Sequence, residues 1–469
     1  MKFEKVIQGH IVTPEGDFSG EIGINNGKIL EVSDRKGMLH GEETVDFGED
    51  FVFPGFIDAH VHCFSNPNEG IRKASSAAAK GGITSFLDMP YDLPVPISNV
   101  SVLEEKIAEV NEQAVVDIAL WGTIPKENGA QVIDELAEAG VAGFKLSTFE
   151  TDPYRFPRIE DADILEAMKK TAAHNLVIAF HAENDEMLTR YIEDAKKAGQ
   201  KEAIHHNLTR PPVTETTAVV KLLDMASWSG AKLHIVHVSH ARSIDYVEWF
   251  KQQGTNVTAE TCYNYLLLTT EDLKKFGPKA KINPPLRLPE QVEALERKLL
   301  EGQIDFITSD HAPWQKADKT IGEYDIFKAK SGSPGLEIMV PLLFDHLVDQ
   351  KGISPARFAE LLALAPARRF RLVDKGSIET GKDADIVVIK RGAPWRIDEN
   401  DFLSVSDVSP FHEHTVHNRI EATFVRGHLV YSHEGGINTQ TAGRFIKPGE
   451  VNRDEDKQAA LGGHVGTSK

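Results

Sequence analysis

Apolar and polar positions fall into distinct textures along this chain. Over residues 1 to 50 the apolar positions form short runs broken by turn residues. Residues 6–12, 22–24 and 28–32 read as strands, and Asn25-Asn26-Gly27 between the last two is a strong hairpin signal. No helical period appears there. From Phe51 the texture changes, and strand-length apolar runs alternate with amphipathic helical stretches. The runs are 51–62, 83–90, 115–123, 141–147, 176–183, 232–239, 256–262 and 304–310. Helical stretches such as 98–111, 162–174, 185–198, 214–229 and 289–300 lie between them. Eight such repeats over about 300 residues predict an α/β fold of the (β/α)8 TIM-barrel type. A doubly wound sheet is the alternative, but it would not naturally gather polar residues from many strands at one point. After Gly376 the strand texture returns, with a run at 386–389 and a hairpin centred on Arg426-Gly427. We therefore expect the terminal segments 1–52 and 376–447 to pair into a small β-sandwich domain beside a barrel spanning 53–375. Residues 448–469 read as a polar tail, loose or laid against a neighbouring subunit.

Composition narrows this picture only modestly. The chain has 469 residues, 41% hydrophobic and 26% charged, ordinary for a globular protein. Its net charge of -19, from 71 acidic and 52 basic residues, argues against nucleic acid or an anionic membrane as partner. Two cysteines, Cys63 and Cys262, form no disulfide framework and suit a reducing, cytoplasmic setting. Cys63 alternates away from His62 and reads as packing. The N-terminus lacks the apolar core of a signal peptide, and no run is long enough to span a bilayer.

Chemistry enters where the strands end, because a barrel of this kind carries its reactive groups at the C-terminal ends of its strands. The first run ends in His60 and His62, two residues apart and so on one face. Taken alone, the pair is as well explained by backbone hydrogen bonding as by half of a metal site. The fourth run carries Lys145, the fifth His181, the sixth His237 and the eighth Asp310. Four histidines, a lysine and an aspartate at five strand ends are hard to explain by packing. Lys145 is the odd member: an ammonium buried beside imidazoles must be neutral, paired or modified. Reaction of its neutral amine with CO2 would give a carbamate, an anionic oxygen donor able to bridge two metals. His311 reads equally as a contact behind the site or as a strand-end residue facing away. His205, His206, His234 and His240 read as structural or exposed.

These residues resemble the cyclic amidohydrolases of the amidohydrolase superfamily, the group of allantoinases, hydantoinases (dihydropyrimidinases) and dihydroorotases. The resemblance spans roughly residues 5 to 447 and rests on motifs in the family's order. These are Pro54-Gly55-Phe56-Ile57-Asp58-Ala59-His60-Val61-His62, Gly143-Phe144-Lys145, His181-Ala182-Glu183-Asn184, Val236-His237-Val238-Ser239 and Ser309-Asp310-His311-Ala312-Pro313. It implies that His60, His62 and Asp310 hold one divalent ion and that His181 and His237 hold another. Lys145, as N6-carboxylysine, would bridge them together with a hydroxide that attacks a ring amide carbon. Asp310 would be general base and then acid. Zinc suits the ligands; iron, cobalt, manganese and nickel would too. The resemblance also implies a dimer or tetramer. It makes Asn283, in the segment after the seventh strand, a substrate contact, and Ser331, Ser333 and Gly335 weaker ones.

The choice of ring rests on loops. Dihydroorotases usually have an arginine just after His-x-His; here the segment is Cys63-Phe64-Ser65-Asn66-Pro67, with Arg72 a more distant substitute. Hydantoinases usually carry a tyrosine just after the bridging lysine; here the segment is Lys145-Leu146-Ser147-Thr148-Phe149. The segments Asp88-Met89-Pro90, Arg210-Pro211-Pro212-Val213-Thr214-Glu215, Glu260-Thr261-Cys262 and Val408-Ser409-Pro410-Phe411 are similar to allantoinase segments. Two stretches depart from that pattern: the loop after His62, and Tyr91-Asp92 where Leu-Asn is usual. The expected reaction is opening of allantoin to allantoate, a step of purine catabolism, with another cyclic amide as the alternative. A non-catalytic scaffold and a one-metal deaminase of the same fold fit less well. Scaffolds lose ligands that are present here, and a deaminase needs no Lys145.

Overall fold

The computed structural model describes residues 2–438, 440 and 442–449, so most of the expected tail, beyond Gly449, lies outside the described residues. The N-terminal strands are β1 (Lys2–Thr13), β2 (Gly16–Asn25), β3 (Lys28–Ser33) and β4 (His40–Pro54). Asn26 and Gly27 take φ of 49° and 73°, so the β2–β3 hairpin closes with the left-handed turn its sequence predicts. Eight parallel strands follow. They are β5 (Phe56–Val61), β6 (Ile83–Asp88), β7 (Asp117–Gly122), β8 (Gly143–Ser147), β9 (Val177–His181), β10 (Lys232–Ile235), β11 (Val257–Cys262) and β12 (Phe306–Thr308). The chain ends in β13 (Ile386–Arg396), β14 (Thr415–Val425), β15 (His428–Ser432) and β16 (Gly436–Ile437).

Hydrogen bonding sorts these strands into two sheets. Strands β5 to β12 pair in sequence order, and a parallel bridge between Val61 and His311 brings the last back to the first. This is the barrel. Its strands are buried on both faces, which is why each reads as a continuous apolar run and not as an alternation. Trp121 fills the interior, with its indole N–H donating to the Ala59 carbonyl at 3.2 Å. Burial of each such large apolar side chain stabilises the fold by roughly 1.5–3 kcal/mol. The other sheet, in the order β16-β15-β14-β13-β4-β1-β2-β3, joins both ends of the chain into the small β domain.

One predicted strand proves to be two. The apolar run 51–62 breaks at Gly55: β4 pairs with β1 and β13 in the small sheet, and β5 pairs with β6 in the barrel. A Cβ at residue 55 would lie 2.0 Å from Thr84 Oγ1, so only glycine lets the chain pass from one sheet to the other there. A buried ionic knot holds the sheets together at the far end of the barrel. Lys375 Nζ reaches Asp117, Asp383 and Asp385 at 2.6, 2.9 and 2.6 Å, and Arg426 also pairs with Asp117. This acidic cluster takes its cation from the chain itself.

Candidate active site

The six residues singled out from the sequence converge at the C-terminal mouth of the barrel. His60 ends β5, and its Nε2 lies 3.2 Å from Asp310 Oδ1; His62 Nε2 lies 3.4 Å from the same oxygen. Donor atoms of His60, His62 and Asp310 fall within 4.8 Å of one another. His181 ends β9, and its Nδ1 lies 2.9 Å from His237 Nε2. The rings of His60 and His237 are 5.4 Å apart, so the two groups adjoin. Lys145, in β8, is 1% exposed. Its Nζ faces aromatic rings, 5.3 Å from the centroid of Tyr91 and 5.0 Å from that of Phe156.

Backbone geometry aims these groups. His237 and Asp310 lie just beyond their strands with φ of 40° and 48°, a region most residues avoid. The His62 N–H donates to the His311 carbonyl at 2.9 Å, which ties the segment bearing Asp310 across the barrel seam. Strain of this kind persists only where the surroundings fix it, and it clusters at functional sites.

Carboxylates behind the site set the imidazole tautomers. Glu260, in β11, accepts from His60 Nδ1 at 2.6 Å and from His234 Nε2 at 3.0 Å. Glu183 accepts from His181 Nε2 at 2.8 Å and lies 3.6 Å from Arg210. With those N–H groups committed, His60 Nε2 and His181 Nδ1 are left as bare acceptors facing the site. Burial pushes the Glu260 carboxyl up, but His60 and His234 outweigh it and hold it far below the usual carboxylate range. Nothing in the sequence pattern singles out Glu260 or Glu183, and His234, expected to be structural or exposed, is the second anchor of Glu260. We expect Glu260→Gln, which leaves one acceptor for two histidines, to cost about 10- to 100-fold in metal affinity or turnover. Metal analysis and steady-state kinetics check it; unchanged values would deny Glu260 this role.

The electrostatics fit a metal-binding set. Burial pushes His62 down to about 4 and His237 well below the usual imidazole range, so both present neutral nitrogen. Burial likewise pushes Lys145 down to about 8, which makes its neutral amine accessible near physiological pH. Burial raises the Asp310 carboxyl, but His60, His62 and Lys145 together hold it below the usual range. Two imidazole nitrogens at 2.9 Å, one with its lone pair bare, call for a proton or a cation between them.

The expected substrate contacts fall on two loops braced against each other. Asn283 leaves its buried Oδ1 without a partner. Gly332, between Ser331 and Ser333, donates its N–H to the Lys281 carbonyl at 3.0 Å. The buried Lys319 ammonium donates to the Lys281 and Lys330 carbonyls at 3.1 and 3.0 Å and also to that of Gly332. Ser333 bridges to His311, next to Asp310. The Gly335 N–H, however, donates to His311 Nδ1 at 3.1 Å, and its carbonyl accepts from Ile338 and Met339. Both backbone groups of Gly335 are thus engaged within the chain. His311 is the contact behind the site, holding the Gly335 turn on one side and lying 3.4 Å from Glu69 on the other. Cys63 is fully buried in the apolar core, as its alternation suggests.

At its strand ends this parallel eight-stranded barrel carries histidines, a lysine and an aspartate, a donor set that suits divalent metal ions. Residues 51–430 match the Amidohydrolase family, and the chain belongs to it. The chain is 35% identical over 453 residues to an allantoinase of Deinococcus radiodurans, covering 96% of this chain and 99% of that protein. It is 36% identical over 453 residues to an allantoinase of Rubrobacter xylanophilus, covering 95% and 98%. Its structure is similar to that of an L-hydantoinase (dihydropyrimidinase) from Arthrobacter aurescens, with a TM-score of 0.91 and 29% identity over 95% of this chain and 100% of that one. No helix among the described residues is long and apolar enough to cross a membrane.

Proposed function

We propose that this chain is an allantoinase-like cyclic amidohydrolase that opens a cyclic ureide by hydrolysis, with allantoin to allantoate as the leading reaction. The observation that carries the reading is the convergence of four imidazoles and Asp310 around the buried Lys145 amine, with the tautomers of His60 and His181 fixed by Glu260 and Glu183. His60, His62 and Asp310 would hold one divalent ion, His181 and His237 the other, and Lys145, carbamylated, would join them. Zinc is the first choice by ligand type, with iron, cobalt, manganese and nickel also suited. Such ions, when bound, supply a water that ionises near neutrality and polarise the carbonyl under attack.

The protein's own part is positioning and proton handling. Asp310 lies beside both histidines of its group and stays ionised, so it can take a proton from the attacking water and return it to the leaving ring nitrogen. Its left-handed backbone directs the carboxylate into the mouth of the barrel. Asn283 offers its unpartnered Oδ1 to a ring N–H, and the Ser331–Ser333 segment supplies further polar contacts. Gly335 acts by close approach: a Cβ there would lie 2.7 Å from the Ser309 side chain.

Two observations separate these segments from the sister enzymes' patterns. The Arg72 guanidinium donates to the Gln113 carbonyl, away from Asp310, so it does not stand in for a carboxylate-binding arginine. The segment after Lys145 offers no phenol: Thr148 Oγ1 donates to the Glu183 carbonyl and Phe149 lies beside His181. The same reading places the enzyme in the cytoplasm, in keeping with two unpaired cysteines, and carries the expectation of a dimer or tetramer.

The test is a ring panel of allantoin, hydantoin, dihydrouracil and dihydroorotate on metal-reconstituted protein supplied with bicarbonate. We expect kcat/KM for allantoin to exceed the others by about 10- to 200-fold, the discrimination a shaped pocket provides. Preference for another ring would keep the chemistry and change the substrate. Inertness of metal-loaded protein on every ring would overturn the reading.

A further inference from the structure

The departure from the allantoinase pattern at Tyr91-Asp92 has a structural outcome that points to chemistry. Strand β6 ends at Asp88, and the next turn is gripped from both sides by one buried cation. Lys106 Nζ reaches Asp88 at 2.5 Å and Asp92 at 2.6 Å, so Tyr91 is held between two anchored residues. The Met89 N–H donates to the Val61 carbonyl at 2.7 Å, which ties the turn to the strand bearing His60. Arg155 donates to the Tyr91 carbonyl at 3.1 Å. The result is a fixed aromatic ring stacked over His62, with centroids 6.0 Å apart at 20°, and next to Lys145.

Several neighbouring hydroxyls are spent within the chain. Tyr263 and Tyr265 donate to the Pro334 and Pro284 carbonyls, each at 2.7 Å. Thr123 donates to the Lys145 carbonyl, Ser147 to that of Phe149, and Thr148 to those of His181 and Glu183. The Tyr91 hydroxyl, on a residue only 4% exposed, has no partner. An unpaired buried hydroxyl is destabilising, and a rigid side chain beside a catalytic constellation retains one only where something else compensates. An amide substrate presents a carbonyl oxygen that accepts and N–H groups that donate. Among the buried polar atoms that have no partner, the Tyr91 hydroxyl can donate and the Asn283 Oδ1 can accept.

We propose that Tyr91 is a catalytic residue whose hydroxyl donates to the substrate's carbonyl oxygen and strengthens that bond as negative charge develops there during attack. This rests on the reading of the site as a cyclic amidohydrolase. The phenol keeps its proton throughout and only donates. Its worth lies in being placed before the reaction begins, so no reorganisation is needed when charge appears.

Tyr91→Phe removes the hydroxyl and keeps the ring. Metal content, thermal stability, kcat and KM are measured for both proteins, on the ring that wild type opens fastest. We expect kcat/KM to fall by about 100-fold, mostly in kcat, as for loss of one oxyanion donor. Metal content should hold, and the melting temperature should stay level or rise, because an unpaired buried hydroxyl is gone. Tyr91→Leu, which also removes the ring, should fall further. Variant kinetics within twofold of an active wild type would overturn the inference alone. So would a loss of turnover that tracks lost metal or a lowered melting temperature, since the ring would then be structural. A wild type inert on every ring would overturn the underlying reading and this inference with it.

Discussion

Lys145→Ala should abolish ring opening, lowering kcat/KM by about 10⁴-fold or more, which corresponds to roughly 5.5 kcal/mol of transition-state stabilisation. The size follows from where the amine sits. Lys145 is buried, and no carboxylate lies within ion-pair distance of its Nζ among the described residues. Burial pulls it down to about 8, so the neutral, nucleophilic form is present at physiological pH. A neutral amine that adds CO2 and loses a proton becomes an anion, which suits a pocket lined by four imidazoles far better than an ammonium does. Removing it should cost the protein much of its metal as well as its activity. Bicarbonate should raise the activity of wild type reconstituted from a CO2-poor preparation and leave Lys145→Ala unmoved. A small carboxylate such as acetate, which fits the space vacated, should restore a measurable fraction. Native mass spectrometry of wild type should show one added CO2 on the peptide holding Lys145. If Lys145→Ala kept wild-type turnover, the two-metal arrangement would be wrong and a one-metal site would take its place.

Much of this site was legible in the sequence because its parts obey short-range rules. The spacing of His60 and His62 places them on one strand face, and Lys145, His181 and His237 each sit within an apolar run whose C-terminal end the barrel brings to one mouth. What stayed hidden depends on pairs remote in sequence. Glu260 lies 200 residues from His60, and nothing in the pattern around either residue announces the bond between them. The break at Gly55 was hidden for another reason. Phe51, Val52, Phe53, Phe56 and Ile57 are all apolar because the last residues of β4 are covered as well as those of β5, so hydrophobicity cannot say which sheet a residue joins. The left-handed backbone at Asp310 lies where the barrel closes, and that at His237 lies where its N–H meets Glu260, so neither is set by local propensity. Tyr91 was visible only as a deviation from a pattern. Its placement depends on Lys106, which Asp92 shares with Asp88 and which no local pattern reveals.

The second large effect is expected at Asp310. Asp310→Asn keeps an oxygen donor beside His60 and His62 but cannot exchange a proton, whereas Asp310→Ala loses both capacities. We expect Asp310→Asn to lower kcat by about 10³- to 10⁴-fold, at the upper end of what a positioned acid–base group contributes, with KM moving far less. Metal analysis then separates the two roles of the carboxylate. Asp310→Asn should retain most of its metal, while Asp310→Ala should lose the ion shared with His60 and His62. The pH profile gives an independent check. His60, His62 and Lys145 hold the Asp310 carboxyl below the usual range, so it is ionised and able to act as base throughout neutral pH. As pH falls through its lowered pKa the base is lost, so the acid limb of the wild-type profile should contain this ionisation, and the residual activity of Asp310→Asn should lack it. Retention of a tenth or more of wild-type kcat by Asp310→Asn would mean that another group carries the proton. With the imidazole tautomers fixed by Glu260 and Glu183, and the Tyr91 phenol protonated, few groups near the ring nitrogen remain to do so.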